Sequence, residues 1–251
     1  MQSIFISGGA AGIGRAVANK FANAGWLVGS YDIAKQDHTH PNIICGELDV
    51  RDAESWDAAL SNFCERTDGQ LDVLDNNAGI IRAGELSTLN PSDIEAQISI
   101  NTLGPTLGAR AAFPYLKRTP GAQLVSMASA AAIFGQPEIC IYGASKSYVG
   151  SLTEALSLEW RHDDIRVVDI WPLWAKTALA DNSATSIKRL GVHITPEQVA
   201  QRVWDATHPK NRWQRGRIHY GVSVVDETFY RMRSASPDRL ARAATRLFSA
   251  K

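Results

Sequence analysis

Residues 3–14 read SIFISGGAAGIG, an apolar run that leads straight into a glycine-rich turn. Gly8, Gly12 and Gly14 have the spacing G-x3-G-x-G, which differs from G-x-G-x-x-G and lacks the Gly-Lys-Ser/Thr ending of a P-loop. Glycines permit a tight turn and let backbone amides at a helix N-terminus approach a pyrophosphate. The stretch predicts a strand, a phosphate-binding turn and a helix, and a turn without a ligand is the alternative.

Strand-like and helix-like segments alternate along the rest of the chain. The strand-like segments are SIFIS, WLVGSYD, NIICGELDV, LDVLDNN, AQLVSMAS, IRVVDIW and RIHYGV. The helix-like segments are GIGRAVANKFANAG, DAESWDAALSNFCERT with a cap at Asp52, a long helix within Pro91 to Lys117, and one from about Tyr142 to Trp160. This order predicts an α/β fold with a doubly wound parallel sheet, helices on both faces, and ligands beyond the carboxyl ends of the strands.

Composition limits the classes of protein that the chain can represent. Its 251 residues, 45% of them hydrophobic, contain no linker-like tract and predict a single domain, 1–251. A formal net charge of zero argues against a nucleic-acid binder, and no apolar run is long enough to span a membrane. With no room for a signal peptide before SIFIS, and with Cys45, Cys64 and Cys140 in no zinc or disulfide pattern, we expect buried thiols in a cytoplasmic protein.

Asp32 ends the second predicted strand, eighteen residues after Gly14. A carboxylate at that place accepts hydrogen bonds from both ribose hydroxyls of an adenosine and repels a 2′-phosphate. The residue therefore favours NAD over NADP as cofactor. An ordinary turn aspartate is the alternative, and the nearby Arg15 and Lys35 keep NADP open.

The stretch YGASK places Tyr142 one helical turn before Lys146, so both side chains lie on the same helix face. An ammonium about 5 Å from a phenol, at an effective dielectric of about 20, favours the phenolate by roughly 3 kcal/mol. That amounts to about two pKa units, which would make Tyr142 a proton donor and acceptor near neutral pH. A surface pair without chemistry is the alternative.

Two further polar residues fall where strand ends and helices face the predicted ligand site. Ser129 ends the fifth predicted strand, where its hydroxyl would hold a substrate oxygen beside the phenol; a simple capping group is the alternative. Asn101 lies inside the long helix, where asparagine is unfavourable and disturbs the turn. It would hold a water that links Lys146 to solvent, or it is a plain polar helix residue.

SGGAAGIG, NNAG (Asn76 to Gly79), Asn101, Ser129 and YGASK occur in an order that resembles the short-chain dehydrogenase/reductase family, from about Ser3 to Thr177. The resemblance implies an NAD(P)-dependent oxidoreductase with a Rossmann-type sheet of seven strands, no metal, and a homo-oligomer, dimer or tetramer, built through the two long central helices. It implies the following roles: Tyr142 as acid and base, Lys146 as the residue that lowers its pKa and binds the nicotinamide ribose, Ser129 as the group that polarises the substrate oxygen, and Asn101 as the holder of a relay water.

The resemblance also implies a set of cofactor contacts, spread over the glycine turn, the strand ends and the segment after the sixth strand. These are Gly8, Gly12, Ile13, Gly14, Asp32, Asp49, Val50, Asn77, Ala78, Gly79, Tyr142, Lys146, Pro172 and Thr177. Asn77 is expected near the adenosine ribose, and Asp49 and Val50 at the adenine. Two departures stand out. Leu173 replaces a frequent glycine beside the Thr177 segment, and Asp75 replaces an apolar residue in a buried strand, where it is expected to have a polar partner.

The substrate pocket is expected between the loop after Ser129 and the segment after the sixth strand. These segments offer mainly apolar side chains: Ile133, Phe134, Gln136, Ile139, Leu173, Trp174 and Leu179. The predicted substrate contacts are Ser129, Phe134, Gln136, Tyr142 and Trp174. Residues 174–191 have the length of a flexible lid, and the C-terminal segment 223–251 contains a basic amphipathic stretch, PDRLARAATRLF.

The sequence therefore predicts an enzyme that transfers a hydride between NAD(H) and a hydrophobic secondary alcohol or its ketone. An NADPH-dependent carbonyl reductase and a non-catalytic regulator that senses a dinucleotide are the two alternatives. A regulator needs only the glycine turn and Asp32, so the set Asn101, Ser129, Tyr142 and Lys146 speaks against it.

Overall fold

The computed structural model describes residues 1–180, 184–223 and 228. Its strands are β1 (Ser3–Ser7), β2 (Leu27–Asp32), β3 (Ile43–Glu47), β4 (Val73–Asn76), β5 (Gln123–Met127), β6 (Arg166–Trp171) and β7 (His219–Gly221). Its helices are α1 (Gly12–Asn23), α2 (Ala53–Cys64), α3 (Pro91–Ile98), α4 (Gly104–Lys117), α5 (Cys140–Glu159), α6 (Thr185–Leu190), α7 (Pro196–Thr207) and α8 (Arg212–Arg215). The seven strands predicted from the sequence are all present.

The strands form one parallel sheet in the order β3-β2-β1-β4-β5-β6-β7. The chain builds outward from β1 in one direction as far as β3, and from β4 in the other direction as far as β7. This reversal makes the gap between β1 and β4 the switch point, where α/β proteins bind their ligands. Ser7 pairs with Asn76 there, at the carboxyl ends of both strands. The doubly wound fold with helices on both faces is confirmed.

Two apolar layers cover the sheet, which is why the strands read as nearly continuous hydrophobic runs. On one face, α1 and α7 pack through Phe21 and Trp204, whose ring centres are 5.0 Å apart. On the other face, α2 and α4 cover a cluster that includes Phe5, Trp56 and Phe63. Burying an aromatic side chain of this kind contributes roughly 1.5–3 kcal/mol.

The long helix predicted within residues 91–117 is present but interrupted. Between α3 and α4 the chain makes a π-helical turn at Ser99–Leu103, which contains Asn101. Such wide turns occur often at functional sites. The expectation that Asn101 lies in a disturbed turn of this helix agrees with the structure.

Helix α7 was not predicted from the sequence, although its signal is present. Thr195 and Gln198 form a reciprocal capping box, and Pro196 occupies the first helical turn. The expected lid, residues 174–191, is more structured than a loop, because α6 lies within it and Ala175 makes a β-bridge to Ile194. Residues 181–183 and the predicted C-terminal helix lie outside the described residues.

Two expectations about buried groups are wrong. Of the three cysteines only Cys64 is buried; Cys45 is exposed and Cys140 is partly exposed. Asp75 is fully buried in β4, but neither carboxylate oxygen has a hydrogen-bond partner among the described residues. Burial raises the pKa of Asp75 to about 7, so protonation of the carboxylate compensates for the polar partner that was expected from the sequence. Within the described residues, no helix is both long and apolar enough to cross a bilayer.

Candidate active site

The glycine turn is locked against the end of β4. Gly8 has φ +73°, and a Cβ there would lie 2.8 Å from the Ala78 Cα. A Cβ on Gly14 would lie 2.2 Å from the Gly8 carbonyl oxygen. The Asn77 side-chain amide donates to the carbonyl oxygens of Ser7 and Gly8, both at 3.1 Å. These close approaches explain why the turn needs glycine and place Asn77 as its brace.

Asp32 faces the same turn from the end of β2. Its carboxylate accepts hydrogen bonds from the backbone amides of Ala10 at 3.1 Å and Ala34 at 2.9 Å. The nearby Arg15 guanidinium is paired with Asp37. The Asp32 carboxylate is therefore held in place beside the glycine turn. Arg15, the cation nearest to this turn in the sequence, is already paired with Asp37.

A cavity of about 380 Å³ runs along the carboxyl ends of the strands and collects most of the predicted site. The predicted residues that line it are Gly8, Gly12, Ile13, Asp32, Asp49, Val50, Asn77, Ala78, Gly79, Ser129, Gln136, Tyr142, Lys146, Pro172, Trp174 and Thr177. Gly14 and Asn101 are not among the lining residues, but each contacts one of them. Gly14 packs against the Gly8 carbonyl oxygen, and the Asn101 side chain hydrogen-bonds the Ile80 backbone. Phe134 instead packs against the cluster around Trp171, which corrects its prediction as a cavity-lining residue.

The end of the cavity nearest β3 is polar and contains a residue that sequence reasoning missed. Arg51 lines the cavity and makes a bidentate ion pair with Asp49, with a shortest distance of 2.6 Å. Its hydrogen bonds lower the pKa of Asp49. The spacing Asp-x-Arg after a strand could have indicated this pair. At this end, therefore, Asp49 already has a cationic partner within the chain.

Ser129 and Tyr142 meet on the other side of the switch point. The Ser129 hydroxyl accepts from the Ala131 amide at 3.1 Å and lies 3.4 Å from the Pro172 carbonyl oxygen. Burial raises the pKa of the Tyr142 phenol, and a hydrogen bond with Ser129 acts in the opposite direction. The structure thus places both residues in the lining of the same cavity.

Lys146 follows Tyr142 by one turn of α5 and is 4% exposed. Its Nζ donates to the Met127 carbonyl oxygen at 2.7 Å and lies 5.7 Å from the centre of the Tyr142 ring. Burial lowers the pKa of Lys146 to about 8. Burial of the phenol outweighs the opposing effect of Ser129 on the pKa of Tyr142, so the lowering of this pKa by Lys146 stays a prediction.

The Asn101 side chain fixes the segment that follows β4. Its Oδ1 accepts from the Ile80 amide at 2.9 Å, and its Nδ2 donates to the Ile80 carbonyl at 2.8 Å and to the Ser145 hydroxyl at 3.2 Å. A Cβ on Gly79 would lie 3.3 Å from both Asn101 Oδ1 and Lys146 Nζ. Asn101 is therefore adjacent to Lys146, with its amide bound to the backbone.

Leu173 does not displace the segment after β6. Thr177 still reaches the glycine turn, since its Cγ2 would lie 3.2 Å from a Cβ on Gly12. The Pro172 carbonyl oxygen accepts from the Ala130 amide at 3.0 Å, which ties the segment to the loop after β5. Leu173 itself lines the cavity and packs on the apolar core.

The arrangement offers a cradle and a proton-transfer group in one cleft. Glycine backbone at a helix N-terminus and the carboxylate of Asp32 fit the pyrophosphate and adenosine ribose of a dinucleotide. A Cβ on Gly12 or on Gly79 would partly fill the space beside the backbone. Without a side chain at these positions, such a ligand could approach the backbone closely. The hydroxyls of Ser129 and Tyr142 could bind one substrate oxygen and move its proton.

Comparison with known proteins agrees with this geometry. A family model described as short chain dehydrogenase matches residues 2–188. The chain is 35% identical over 167 residues to the trans-4-hydroxycyclohexanecarboxylate dehydrogenase of Sinomonas cyclohexanicum, covering 66% of this chain and 60% of that protein. It is 28% identical over 229 residues to a 3-oxoacyl-(acyl-carrier-protein) reductase of Thermotoga maritima, covering 85% and 93%.

The fold has a counterpart among solved structures. A short chain dehydrogenase from Burkholderia cenocepacia J2315, solved in complex with NADP, has a TM-score of 0.83 at 21% identity. The match covers 97% of this chain and 98% of that chain. At this identity the likeness establishes the shared architecture.

Proposed function

Since the chain belongs to the short-chain dehydrogenase/reductase family of oxidoreductases, we propose that it transfers a hydride between NAD(H) and a hydrophobic secondary alcohol or its ketone. The observation that carries the proposal is that the buried residues Ser129, Tyr142 and Lys146 line the same cavity as the glycine turn. A sensor that only bound a dinucleotide would need no such set.

The dinucleotide would be held along the strand ends. The turn from Gly8 to Gly14 would receive the pyrophosphate, Asp32 the adenosine ribose, and Lys146 the nicotinamide ribose. Thr177, beside the glycine turn, would contact the nicotinamide amide. When bound, the cofactor supplies the hydride acceptor or donor; the chain supplies alignment and the proton.

Tyr142 would be the group that exchanges the proton of the substrate oxygen. Burial raises its pKa, so the neutral phenol is the dominant form at neutral pH and is ready to donate to an oxygen that gains negative charge during ketone reduction. In alcohol oxidation the phenol must first lose its proton, and the Lys146 ammonium favours that loss. Ser129 would donate a hydrogen bond to the same substrate oxygen and so hold it beside the phenol.

The apolar walls of the cavity support a hydrophobic substrate. Ile81, Leu173, Trp174 and Leu179 line the cavity, and Ile81 and Trp174 pack in one cluster with Tyr142. Burying hydrocarbon against such walls contributes about 25 cal/mol per Å² of apolar surface. The relative named as a trans-4-hydroxycyclohexanecarboxylate dehydrogenase supports a ring-bearing alcohol.

The test is a screen of hydrophobic secondary alcohols with NAD, following the absorbance of the reduced cofactor. Tyr142→Phe should lower the turnover number at least about 100-fold while NADH affinity stays within about threefold. Tyr148→Phe is the matched control, because Tyr148 lies on the same helix but does not line the cavity. Its hydroxyl hydrogen-bonds the Thr106 hydroxyl at 2.8 Å. Unchanged turnover in Tyr142→Phe would refute the assignment.

An NADPH-dependent carbonyl reductase is the second candidate. The proximity of Arg15 to the glycine turn favours it, as do a relative named as a reductase and a structural neighbour solved with NADP. NAD is preferred because Asp32 is fixed at the ribose position and Arg15 already pairs with Asp37. Comparing NADH and NADPH affinities separates the two.

We also propose a homo-oligomer. Ile98, Leu103 and Tyr148 are between 42% and 48% exposed on the α3–α5 region. Large apolar side chains at an exposed helix surface are typical of a subunit contact. Light scattering of the purified chain measures the mass; a monomer would contradict the proposal.

A further inference from the structure

Gln136 is a polar residue of the cavity that the proposed proton chemistry does not use. It lines the cavity from the loop between β5 and α5, and its Oε1 is buried. Among the described residues this oxygen has no hydrogen-bond partner. A buried amide oxygen without a partner is unfavourable, so such a group in a ligand cavity indicates a partner that arrives with the ligand.

Much of the cavity lining offers a polar ligand group no hydrogen-bond partner from a side chain. Ile81, Ala131, Leu173 and Leu179 contribute apolar side chains to it. Among the described residues, the two cations that line the cavity are engaged, Lys146 with the Met127 carbonyl and Arg51 with Asp49. A charged ligand group near Gln136 would therefore find no free counter-ion among these residues, whereas an uncharged hydrogen-bond donor would find an acceptor.

The loop that carries Gln136 is held in place two residues further on. Glu138 has φ +66°, a strained value for a residue with a side chain. Its carbonyl oxygen accepts from the Gly84 amide at 2.7 Å, and its carboxylate accepts from the Thr185 amide at 2.7 Å. These bonds fix the loop to the segment after β4 and to the first residue of α6. The amide of Gln136 is thus presented from a braced position.

We propose that Gln136 sets the substrate specificity by binding a second, uncharged hydroxyl on the substrate. The preferred substrates would then be hydrocarbon diols or hydroxyketones, in which one oxygen reacts at Ser129 and Tyr142 and the other donates a hydrogen bond to the Gln136 amide. This proposal rests on the proposed function for the reacting oxygen. A substrate without the second hydroxyl leaves the buried Oε1 of Gln136 unpaired. The enzyme therefore favours substrates that carry this hydroxyl over those that lack it.

The experiment compares cyclohexanol, trans-cyclohexane-1,4-diol and trans-4-hydroxycyclohexanecarboxylate as substrates with NAD. The wild-type chain should have a kcat/KM about tenfold or more higher for the diol than for cyclohexanol. Gln136→Met, which keeps the length of the side chain, should bring that ratio to within about twofold, because no acceptor remains there for the second hydroxyl. The exposed Gln201→Met is the matched control and should keep the wild-type ratio.

Two outcomes overturn the proposal. One is an equal diol-to-cyclohexanol ratio in the wild type and in Gln136→Met, both folded by circular dichroism. The other is a preference for the carboxylate over the diol. If Gln136→Met fails to fold, Gln136→Glu replaces it; the carboxylate keeps an acceptor, so the preference for the diol over cyclohexanol should persist.

A binding measurement separates this proposal from the proposed function. Ligand-detected NMR on the complex with NADH, and on the chain without it, reports the affinities for the diol and for cyclohexanol in the absence of turnover. Tighter diol binding that is lost in Gln136→Met supports the Gln136 site even if no alcohol is oxidised. Equal binding by both chains refutes the site even if alcohols are oxidised.

Discussion

Lys146 donates a hydrogen bond from Nζ to the Met127 carbonyl oxygen at 2.7 Å, which anchors the buried ammonium to the end of β5. One neutral acceptor compensates only part of the loss of hydration, so burial lowers the pKa of Lys146 to about 8. Lys146 therefore gains or loses its charge within the pH range in which an enzyme is usually assayed.

This pKa predicts the pH dependence of alcohol oxidation. Below about pH 8 the ammonium is charged and favours ionisation of Tyr142; above about pH 8 it loses its proton and that assistance. The rate should therefore have a falling limb near pH 8. In Lys146→Arg, whose guanidinium stays charged, the falling limb should disappear.

The pH profiles of kcat/KM for wild type and Lys146→Arg provide the measurement, with the exposed Lys35→Arg as control. A falling limb at the same pH in both chains would assign it to another group. If Lys146→Arg has no activity, the profile of the wild type alone still tests the limb, because a flat rate through about pH 9 contradicts it.

Cofactor preference should respond to two acidic residues in different ways. Asp32→Ala removes the carboxylate that would repel a 2′-phosphate, and we expect NADH affinity to fall about tenfold and the preference for NADH over NADPH to shrink. Asp37→Ala leaves Asp32 in place but releases Arg15 from its ion pair. The double variant should bind NADPH best, because only there is the cation free and the carboxylate absent.

Fluorescence titration with NADH and NADPH measures all four chains. Asp37→Ala serves as the matched control, since it changes the charge by the same amount as Asp32→Ala at a neighbouring site. Equal NADPH affinity in the wild type and the double variant would show that neither residue determines the choice.

The fold was predictable because its signals are local and repeat along the chain. Strands buried on both faces read as apolar runs, and the glycine turn marks where β1 enters α1. Helix α7 could have been predicted as well, from the Thr195-Pro196-Glu197-Gln198 capping box.

The site was predictable in its members but not in its electrostatics. Sequence spacing brought Tyr142, Lys146 and Ser129 together, yet the pKa of Tyr142 depends on how deeply the phenol is buried, which no local pattern encodes. The direction of the side chains in the loop after β5 could not be predicted from the sequence either. Gln136 lines the cavity, whereas Phe134 packs on the core. Both depend on contacts between segments far apart in sequence.

Substitution of Gly14 tests the cradle. A Cβ there would lie 2.2 Å from the Gly8 carbonyl oxygen and 2.6 Å from the Asn77 amide nitrogen, so Gly14→Ala must displace the turn. We expect a loss of about 1–3 kcal/mol in the free energy of unfolding and a loss of NADH affinity of at least about tenfold. Urea denaturation and NADH titration measure the two effects.

Gly135→Ala is the matched control for that substitution. A Cβ on Gly135 has no heavy atom within 4 Å, and its φ is not in the left-handed region. The free energy of unfolding should be unchanged or higher by up to about 1 kcal/mol, because alanine restricts the unfolded chain. Equal NADH affinity in Gly14→Ala and Gly135→Ala would contradict a tight fit at the turn.

Asp75 predicts an unusual dependence of stability on pH. It lies in β4 between Ile6 and Val125, fully buried, and burial raises its pKa from 3.8 to about 7. Between these values the unfolded chain releases the proton while the folded chain keeps it. The contribution of Asp75 to stability is therefore fully present below about pH 4 and is lost as the pH rises through about 7.

The size of this effect follows from the two pKa values. At about 1.4 kcal/mol per pKa unit, the change from 3.8 to about 7 corresponds to about 4 kcal/mol lost by neutral pH. Asp75→Val places an apolar side chain in this apolar layer and removes the titration. Its free energy of unfolding should therefore exceed that of the wild type by a margin that grows from about pH 4 to about pH 8.

Urea denaturation of both chains across that pH range gives the margin directly, because all other titrating groups are common to the two chains and cancel in the difference. Asp57→Val is the control for the loss of a carboxylate, since the Asp57 side chain is 60% exposed. Parallel curves for the wild type and Asp75→Val would mean that the carboxylate is already ionised at low pH, which requires a compensating partner in the folded chain. A margin that grows between about pH 4 and about pH 8 and stays constant above that range would establish the buried acid as the cause.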